Sequence, residues 1–473
     1  MENFEFVSPT HFVFGRGAEE QVGEKLAAAG AKRVLVHFGG GSAVASGLID
    51  RVGASLDAAG IEHLELGGVR PNPEITLVRE GVRLCKEANV DWVLAVGGGS
   101  VIDSAKAIAN GACVEGDVWE LFETKALDHD VLPIAVVLTI PAAGSEASKN
   151  TVISNDELGR KTGYANNAQR PKFAFMNPEL TFTLPPFQTA AGLTDMFCHL
   201  LERFFDDVGA VPVTDNLNLS LMNTIRAEAP RVLADPDNYD ARANIMWAGM
   251  LCHQGLAGVG RHEDWATHGL EHELSALNPA ITHGAGLAVM FPAWMEYVHT
   301  ENPARFAFYG QAVFGLTPTG DVEADALSAI DETRAFFAMS RDGLIPQSVC
   351  KIHPRFATPH RITIIVGIAV AIISGFTPIN VIAEMCSVGT LFAFIISSIG
   401  VMVMRRKYPD LPRPFRCPAI YVVGTLAIVS CGYIMYNLSS MTWERFWVWS
   451  ALGILIYFLY GYRHSRENKE DAA

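Results

Sequence analysis

The sequence predicts three architectures in succession: an α/β layer over residues 1–183, an all-α domain over 184–337, and a segment of four apolar helices over 338–473. Three observations predict them. Residues 1–183 alternate short apolar runs with helix-compatible stretches, the rhythm of a parallel sheet covered by helices on both faces. From Phe187 onward proline becomes sparse and apolar residues recur at helical spacing. Near residue 338 the charge changes sign. Residues 1–338 hold 23 Lys+Arg against 44 Asp+Glu, a net of −21, whereas residues 339–473 hold 13 against 7, a net of +6. Such asymmetry predicts two different environments.

Taken in order, the first helix is expected around Ala18–Ala29, followed by the apolar run VLVHF and by Gly39–Ser42, where backbone without side chains can approach a ligand closely. A tight turn explains those glycines equally well. A helix around Gly47–Ala59, a strand at Glu62–Leu66, the turn Pro71–Glu74 and a helix at Ile75–Ala88 follow. A buried-type strand, Trp92–Val96, then runs into Gly97, Gly98, Gly99 and Ser100, with a helix beginning near Val101. Bare N–H groups and the positive helix end suit a pyrophosphate there, so this part is expected to be a Rossmann-like dinucleotide-binding domain. The spacing differs from the usual GxGxxG. Pro178, Pro185 and Pro186 mark the way out of this layer.

The helical part is expected to comprise Phe187–Phe205, Pro212–Leu233, Ala241–Gln254, Trp265–Leu277 and Gly284–Glu301. Asp195 and His199 lie four apart, on one helix face. The stretch HGLEHELSALNPAITH offers His268 and His283 from opposite sides of a bend at Asn278-Pro279. One carboxylate and three imidazoles saturate most of a divalent ion's positions while leaving room for a substrate oxygen. Taken singly, each of these residues also reads as a helix-end charge or a hydrogen-bonded core histidine. His253 and His262 are expected outside the ligand set, at a helix surface and on an exposed loop. Phe122, Phe187, Phe291 and Trp294 suit either an apolar pocket or core packing.

The strings DMFCH, WATHGLEHELSA and ITHGAGLAVMFPAWMEY, together with GGGSVIDSAK, resemble the iron-dependent (group III) alcohol dehydrogenases, in their butanol dehydrogenase-like branch. That resemblance implies interconversion of a small alcohol and its aldehyde, and it covers Met1 to about Phe337. It implies Asp195, His199, His268 and His283 as ligands of Fe²⁺ or Zn²⁺, with His272 beside the metal as a candidate proton relay or a core histidine. It implies cofactor contacts from Gly97, Gly98, Gly99, Ser100 and Asp103, and from Thr139, Gly144 and Ser145 of LTIPAAGSEAS. Where NAD-preferring relatives carry an acidic residue after the first strand, this chain has Gly39, Gly40 and Ser42. Lys161 matches a lysine that relatives hold near the nucleotide, and a solvated loop position is its other reading. NADP(H) is therefore expected over NAD(H). A homodimer through the dehydrogenase part is also implied. Relatives continue with a further helical stretch, so the domain at 184–337 is expected to be incomplete.

From about residue 338 the text, including RRKYPDLPRPFRCP and LIYFLYGYRHS, resembles the last four helices of amino acid permeases of the amino acid-polyamine-organocation superfamily. Its apolar runs are Ile362–Phe376, Val381–Met404, Ala419–Leu438 and Phe446–Tyr462. The second and third are long enough for a hydrocarbon core of ~30 Å, and the other two are short. Basic residues cluster before the first run, between the second and third, and after the fourth, which predicts a bilayer partner with both termini cytoplasmic. The acidic front argues against nucleic acid. Eight scattered cysteines read as reduced thiols, and no cleaved export signal is evident. Three readings stand at this point: a membrane-tethered dehydrogenase, a transport-related membrane protein, and an inactive join of two incomplete genes.

Overall fold

The computed structural model describes residues 1–278, 281–341 and 420–436, together with parts of 391–406 and 442–447. The chain divides into two units, Met1–Asp342 and Gly343–Ala473. The first unit opens with β1 (His11–Phe14) and α1 (Val22–Ala28). It continues through β2 (Arg33–Gly39), a one-turn α2 (Ser42–Ala45), α3 (Leu48–Ala58), β3 (Glu62–Val69), α4 (Ile75–Ala88), β4 (Trp92–Gly97) and α5 (Gly99–Gly111). After the short α6 (Trp119–Thr124) come β5 (Ile134–Leu138), an antiparallel hairpin of β6 (Asn150–Asn155) and β7 (Arg160–Ala165), and β8 (Phe173–Met176).

Six strands pair in parallel, in the order β1-β8-β5-β4-β2-β3. The central strands β2, β4 and β5 are near-continuous apolar runs because helices cover both of their faces. Alternate residues feed two cores. Leu35, Val93, Ala95 and Val136 pack with residues of α4 and α5, and Val34, Leu94, Val96 and Val137 pack with residues of α1 and α3. After β2 the chain runs outward to β3 and then returns across β2 to β4, so the strand order reverses between β2 and β4. The carboxyl ends of those two strands therefore bound the crevice where open α/β sheets take ligands. The hairpin and the edge strand β1 go beyond the simple alternation that the sequence suggested.

The helical half consists of α7 (Pro186–Phe204), α8 (Pro212–Ala234), α9 (Tyr239–His253), α10 (Ala266–Leu277), α11 (His283–Val298), α12 (Pro303–Tyr309) and α13 (Val322–Arg341). Central to it is α7. Leu193, Met196, Phe197, Leu200, Leu201 and Phe204 are buried, and so are Asp195, His199 and Glu202. Ala326, Ala329, Ile330, Phe336 and Phe337 of α13 form one buried stripe at helical spacing. Phe336 and Phe337 reach Phe197 with ring centroids 5.1 and 5.8 Å away. The helical fold thus runs past the expected limit at Phe337, to Arg341.

In the second unit, the expected run Ala419–Leu438 is helical over Ile420–Tyr436, 17 residues. The run Ile362–Phe376 lies outside the described residues, as do parts of Val381–Met404, all of Phe446–Tyr462 except Phe446 and Trp447, and Pro279 of the bend. Among the described residues, no helix is long and apolar enough to cross a membrane.

Candidate active site

A cleft of about 1200 Å³ is lined by the carboxyl ends of β2 and β4 and by residues of α7, α10 and α11. On the sheet side, Gly39 ends β2 with Gly40 and Ser42 beyond it, and Gly97 ends β4 with Gly98, Gly99 and Ser100 beyond it. The glycines after β4 are required by the protein's own packing. A β-carbon at Gly97 would lie 2.5 Å from Val101, at Gly98 2.9 Å from Ile140, and at Gly99 2.9 Å from Ala143. Gly98 caps α5 without a side-chain bond, so no capping side chain competes with an anion at the helix start, where the Val101 and Ile102 N–H groups already donate to the Gly98 carbonyl. At Gly40 a β-carbon would meet open space.

Asp103 borders the cleft at the start of the second turn of α5, but its carboxylate is committed to the fold. It accepts from Ser145 Oγ at 2.6 Å and from the Val152 N–H at 2.9 Å, and burial raises its pKa. Ser145 in turn accepts from buried Lys106 Nζ at 2.9 Å, which also donates to the Ser148 and Asn150 carbonyls. Thr139 lines the cleft and donates its N–H to the Gly97 carbonyl. Gly144 does not line it. Its φ is +59°, and a β-carbon there would sit 2.7 Å from His253 Cβ, so this glycine serves the turn against α9.

The structure brings the four expected ligands together. His199 Nδ1, His268 Nε2 and His283 Nε2 each lie 3.8 Å from Asp195 Oδ1. Asp195 Oδ1, His199 Nδ1 and His268 Nε2 are buried and have no hydrogen-bond partner within the protein. Orphaned polar atoms are costly in an interior. Three of them converging, with the third imidazole, that of His283, 3.8 Å from Asp195 Oδ1, is a donor set that fits one divalent ion. Burial and the neighbouring His253 and His268 hold the His199 pKa well below its usual value, which keeps its ring neutral and able to donate a lone pair.

Two glutamates missed in the sequence complete this wall. Glu202 Oε1 accepts from His268 Nδ1 at 2.7 Å and from the His268 backbone N–H at 3.0 Å. Glu271 accepts from His283 Nδ1 and from Ser275 Oγ. Burial works against the charged form of Glu271, but His283 and Lys161 prevail and hold its pKa at about 2. Helical spacing carried the signal: Glu202 lies seven residues beyond Asp195 and three beyond His199, and Glu271 lies three beyond His268.

Lys161 stands on β7 with a 5 % exposed side chain, its Nζ 3.5 Å from Glu271 Oε2. It is therefore no solvated loop lysine, and it reaches the metal-ligand side of the cleft. His272 lines the cleft on α10, its ring 5.4 Å from that of His283, and burial together with His283 lowers its pKa to about 2. His253 is not a surface residue: its ring packs 4.3 Å from that of His199, because the end of α9 abuts α7. Its Nε2 pairs with the Asn150 amide, and its Nδ1 accepts from Arg203. His262 is exposed and pairs with Asp207, as expected. None of Phe122, Phe187, Phe291 and Trp294 lines the cleft, and Phe122 and Phe291 lie in the cores.

A parallel sheet with its glycine turn at the switch point, facing a helical wall with a carboxylate and three imidazoles, defines a metal-dependent nucleotide-linked oxidoreductase. The chain belongs to the iron-containing alcohol dehydrogenase family. Residues 9–178 match the iron-containing alcohol dehydrogenase domain, and residues 189–341 match the C-terminal domain of the same family. The chain is 42% identical over 338 residues to the probable NADH-dependent butanol dehydrogenase 1 of Bacillus subtilis, a match covering 71% of this chain and 87% of that one. It is 38% identical over 343 residues to the NADPH-dependent aldehyde reductase YqhD of Escherichia coli, covering 71% and 86%. Among solved structures, the NADH-dependent butanol dehydrogenase A of Thermotoga maritima superposes with a TM-score of 0.70 at 42% identity, covering 72% of this chain and 85% of that one. Residues 329–459 match the amino acid permease family. There the chain is 44% identical over 138 residues to the branched-chain amino acid permease BcaP of Bacillus subtilis, covering 29% of this chain and 30% of that protein.

Proposed function

We propose that the chain is a metal-dependent, NAD(P)H-linked oxidoreductase that interconverts a small primary alcohol and its aldehyde. The observation that carries this reading is the meeting of three buried, partnerless atoms, Asp195 Oδ1, His199 Nδ1 and His268 Nε2, in a cleft that also exposes the Gly97–Ser100 turn. Relatives named for butanol dehydrogenation and aldehyde reduction support the substrate class. We assign residues 1–183 to the nucleotide and residues 184–337 to the metal.

Asp195, His199, His268 and His283 hold Fe²⁺ or Zn²⁺, which when bound polarises the substrate oxygen while the nicotinamide carries the hydride. The backbone of Gly97, Gly98, Gly99 and Ser100 and the first turn of α5 bind the pyrophosphate. Thr139 and Ser145 brace the turn, and Asp103 anchors α5 to β6 at its edge. His272 faces the cleft as a neutral ring with one N–H and one lone pair, suited to passing a proton between the substrate oxygen and the cleft.

NADP(H) is the preferred cofactor. No carboxylate follows β2 at Gly39, Gly40 and Ser42, and Arg51 and Arg70 line the cleft with those residues, so a 2′-phosphate meets positive charge. Lys161, 3.5 Å from Glu271, serves the reacting end of the cleft in this reading. A homodimer is supported by the edge strand β1, near which Phe4, Phe6 and Phe14 are exposed, and sedimentation at twice the protomer mass checks it. The permease-like segment attaches the enzyme to a bilayer with both termini cytoplasmic. Its likeness spans 30% of BcaP, so we assign it attachment and no transport.

Full-length protein purified in detergent and loaded with Fe²⁺ or Zn²⁺ is expected to oxidise NADPH with butyraldehyde. Asp195→Ala should lower kcat/KM by at least about 100-fold. Equal rates in the variant overturn the assignment.

A further inference from the structure

The two buried glutamates beside the histidines are unlike ordinary core residues. Glu202 and Glu271 have fully buried side chains. Among the described residues, Glu202 Oε1 meets only the ring and backbone N–H of His268, and Oε2 has no partner at all. Glu271 is further tied by Ser275 and by Lys161 at 3.5 Å. A buried carboxylate costs several kcal/mol unless opposing charge or well-placed donors compensate it. With Asp195 as a third buried carboxylate, this wall gathers three acidic side chains around His199, His268 and His283.

A carboxylate can only accept, so it requires the proton of each imidazole on Nδ1. Nε2 of His268 and of His283 is then left as a lone pair, and both lone pairs lie 3.8 Å from Asp195 Oδ1. The opposite tautomer would place an N–H at the point where the three ligands meet. We propose that Glu202 and Glu271 are positioning residues that fix this tautomer and orient His268 and His283 toward one cation at Asp195. The two act differently. Glu202 lies behind His268, with side chains 0% and 8% exposed, whereas the Glu271–His283 pair is more open, with His283 27% exposed and Lys161 Nζ 3.5 Å from the same Glu271 oxygen. Glu202 therefore sets how tightly the cation is held, and Glu271 also sets how His283 faces the cleft.

The inference rests on the proposed metal site, and Co²⁺ tests both separately. Titrating metal-free, full-length protein in detergent with Co²⁺, and recording the visible ligand-field spectrum, gives an affinity and a coordination signature without turnover. The wild type should bind Co²⁺, and Asp195→Ala should not. Equal binding by these two sinks the metal site itself. Glu202→Leu and Glu271→Leu should each weaken binding by about 10- to 100-fold and alter the spectrum. Glu202→Gln and Glu271→Gln, which keep an acceptor oxygen, should recover most of that loss and stay only several-fold weaker than wild type. Folded leucine variants within twofold of wild type in affinity, with an unchanged spectrum, overturn the positioning role alone. Should the leucine variants fail to fold, glutamine variants within twofold of wild type overturn it instead.

Discussion

His37 sits in the middle of β2 with both ring nitrogens engaged, Nδ1 on the Leu66 carbonyl at 2.8 Å and Nε2 on Ser104 Oγ at 2.8 Å. Burial lowers its pKa from the usual 6.5 to about 4, against the opposing pull of the Leu66 carbonyl. The folded value lies below the unfolded one, so the unfolded chain takes up the proton first as pH falls. The stability this neutral ring contributes is complete above pH 6.5 and is lost on the way down to about 4, a loss of about 3 kcal/mol. His37→Gln, which keeps one donor and one acceptor, should flatten the decline of the urea midpoint between those two pH values. An unchanged slope would show that other groups govern it. The sequence marked VLVHF as an apolar run and left this polar residue in it unexplained. Its partners, Leu66 and Ser104, lie 29 and 67 residues away. By contrast, Asp195, His199, His268 and His283 were named in the sequence as candidates, but only as a set and through the family resemblance, since each taken singly also reads as a helix-end charge or a core histidine.

At the level of elements, α7 carries the site on one face and packs against α13 on the other. The face of α7 that carries Asp195, His199 and Glu202 turns to the cleft wall, while Phe197 turns to Phe336 and Phe337 at the end of α13. Those two phenylalanines lie where the dehydrogenase match (189–341) and the permease match (329–459) overlap. The core stripe of α13 therefore runs into the join, and Phe337, 1% exposed, belongs to the dehydrogenase packing. Phe337→Ala should cost about 3–5 kcal/mol. Calorimetry of metal-free protein would read this as a lower Tm of the dehydrogenase transition, and a Tm unchanged within error would place Phe337 outside the core. The helix limits were largely readable from periodicity: Ile75–Ala88 and Trp265–Leu277 were expected, and Ile75–Ala88 and Ala266–Leu277 are found. The β6-β7 hairpin was not, because its polar strands are defined by pairing to each other and by the anchor from Asp103.

For the whole molecule, the charge seam and the two family matches describe one chain with two kinds of surface. Its acidic front is a dehydrogenase whose sheet and helical halves share one cleft. In the basic tail, the helix Ile420–Tyr436 is apolar almost throughout. If that tail seats the enzyme in a bilayer, full-length protein should sediment with membranes and be released by detergent but not by 1 M salt. A chain ending at Arg341 should remain in the supernatant. Release of the full chain by salt alone would point to surface charge rather than insertion.

Residue type, spacing and period, read from the sequence, determined that a glycine turn follows a buried strand, that Asp195 and His199 share one helix face while His268 and His283 flank a bend, and that a different kind of chain begins near residue 338. These are local properties, fixed over a few turns of backbone. Tertiary structure alone decided which atoms of the ligands meet. Only the packing of α10 and α11 on α7 sets His268 and His283 each 3.8 Å from Asp195 Oδ1 and puts Glu202 and Glu271 behind their rings, and only the packing of α9 on α7 brings His253 to the cleft beside His199. The reason is physical: a tautomer, a lone pair's direction and the cost of a buried charge depend on neighbours that the chain brings together only when it folds.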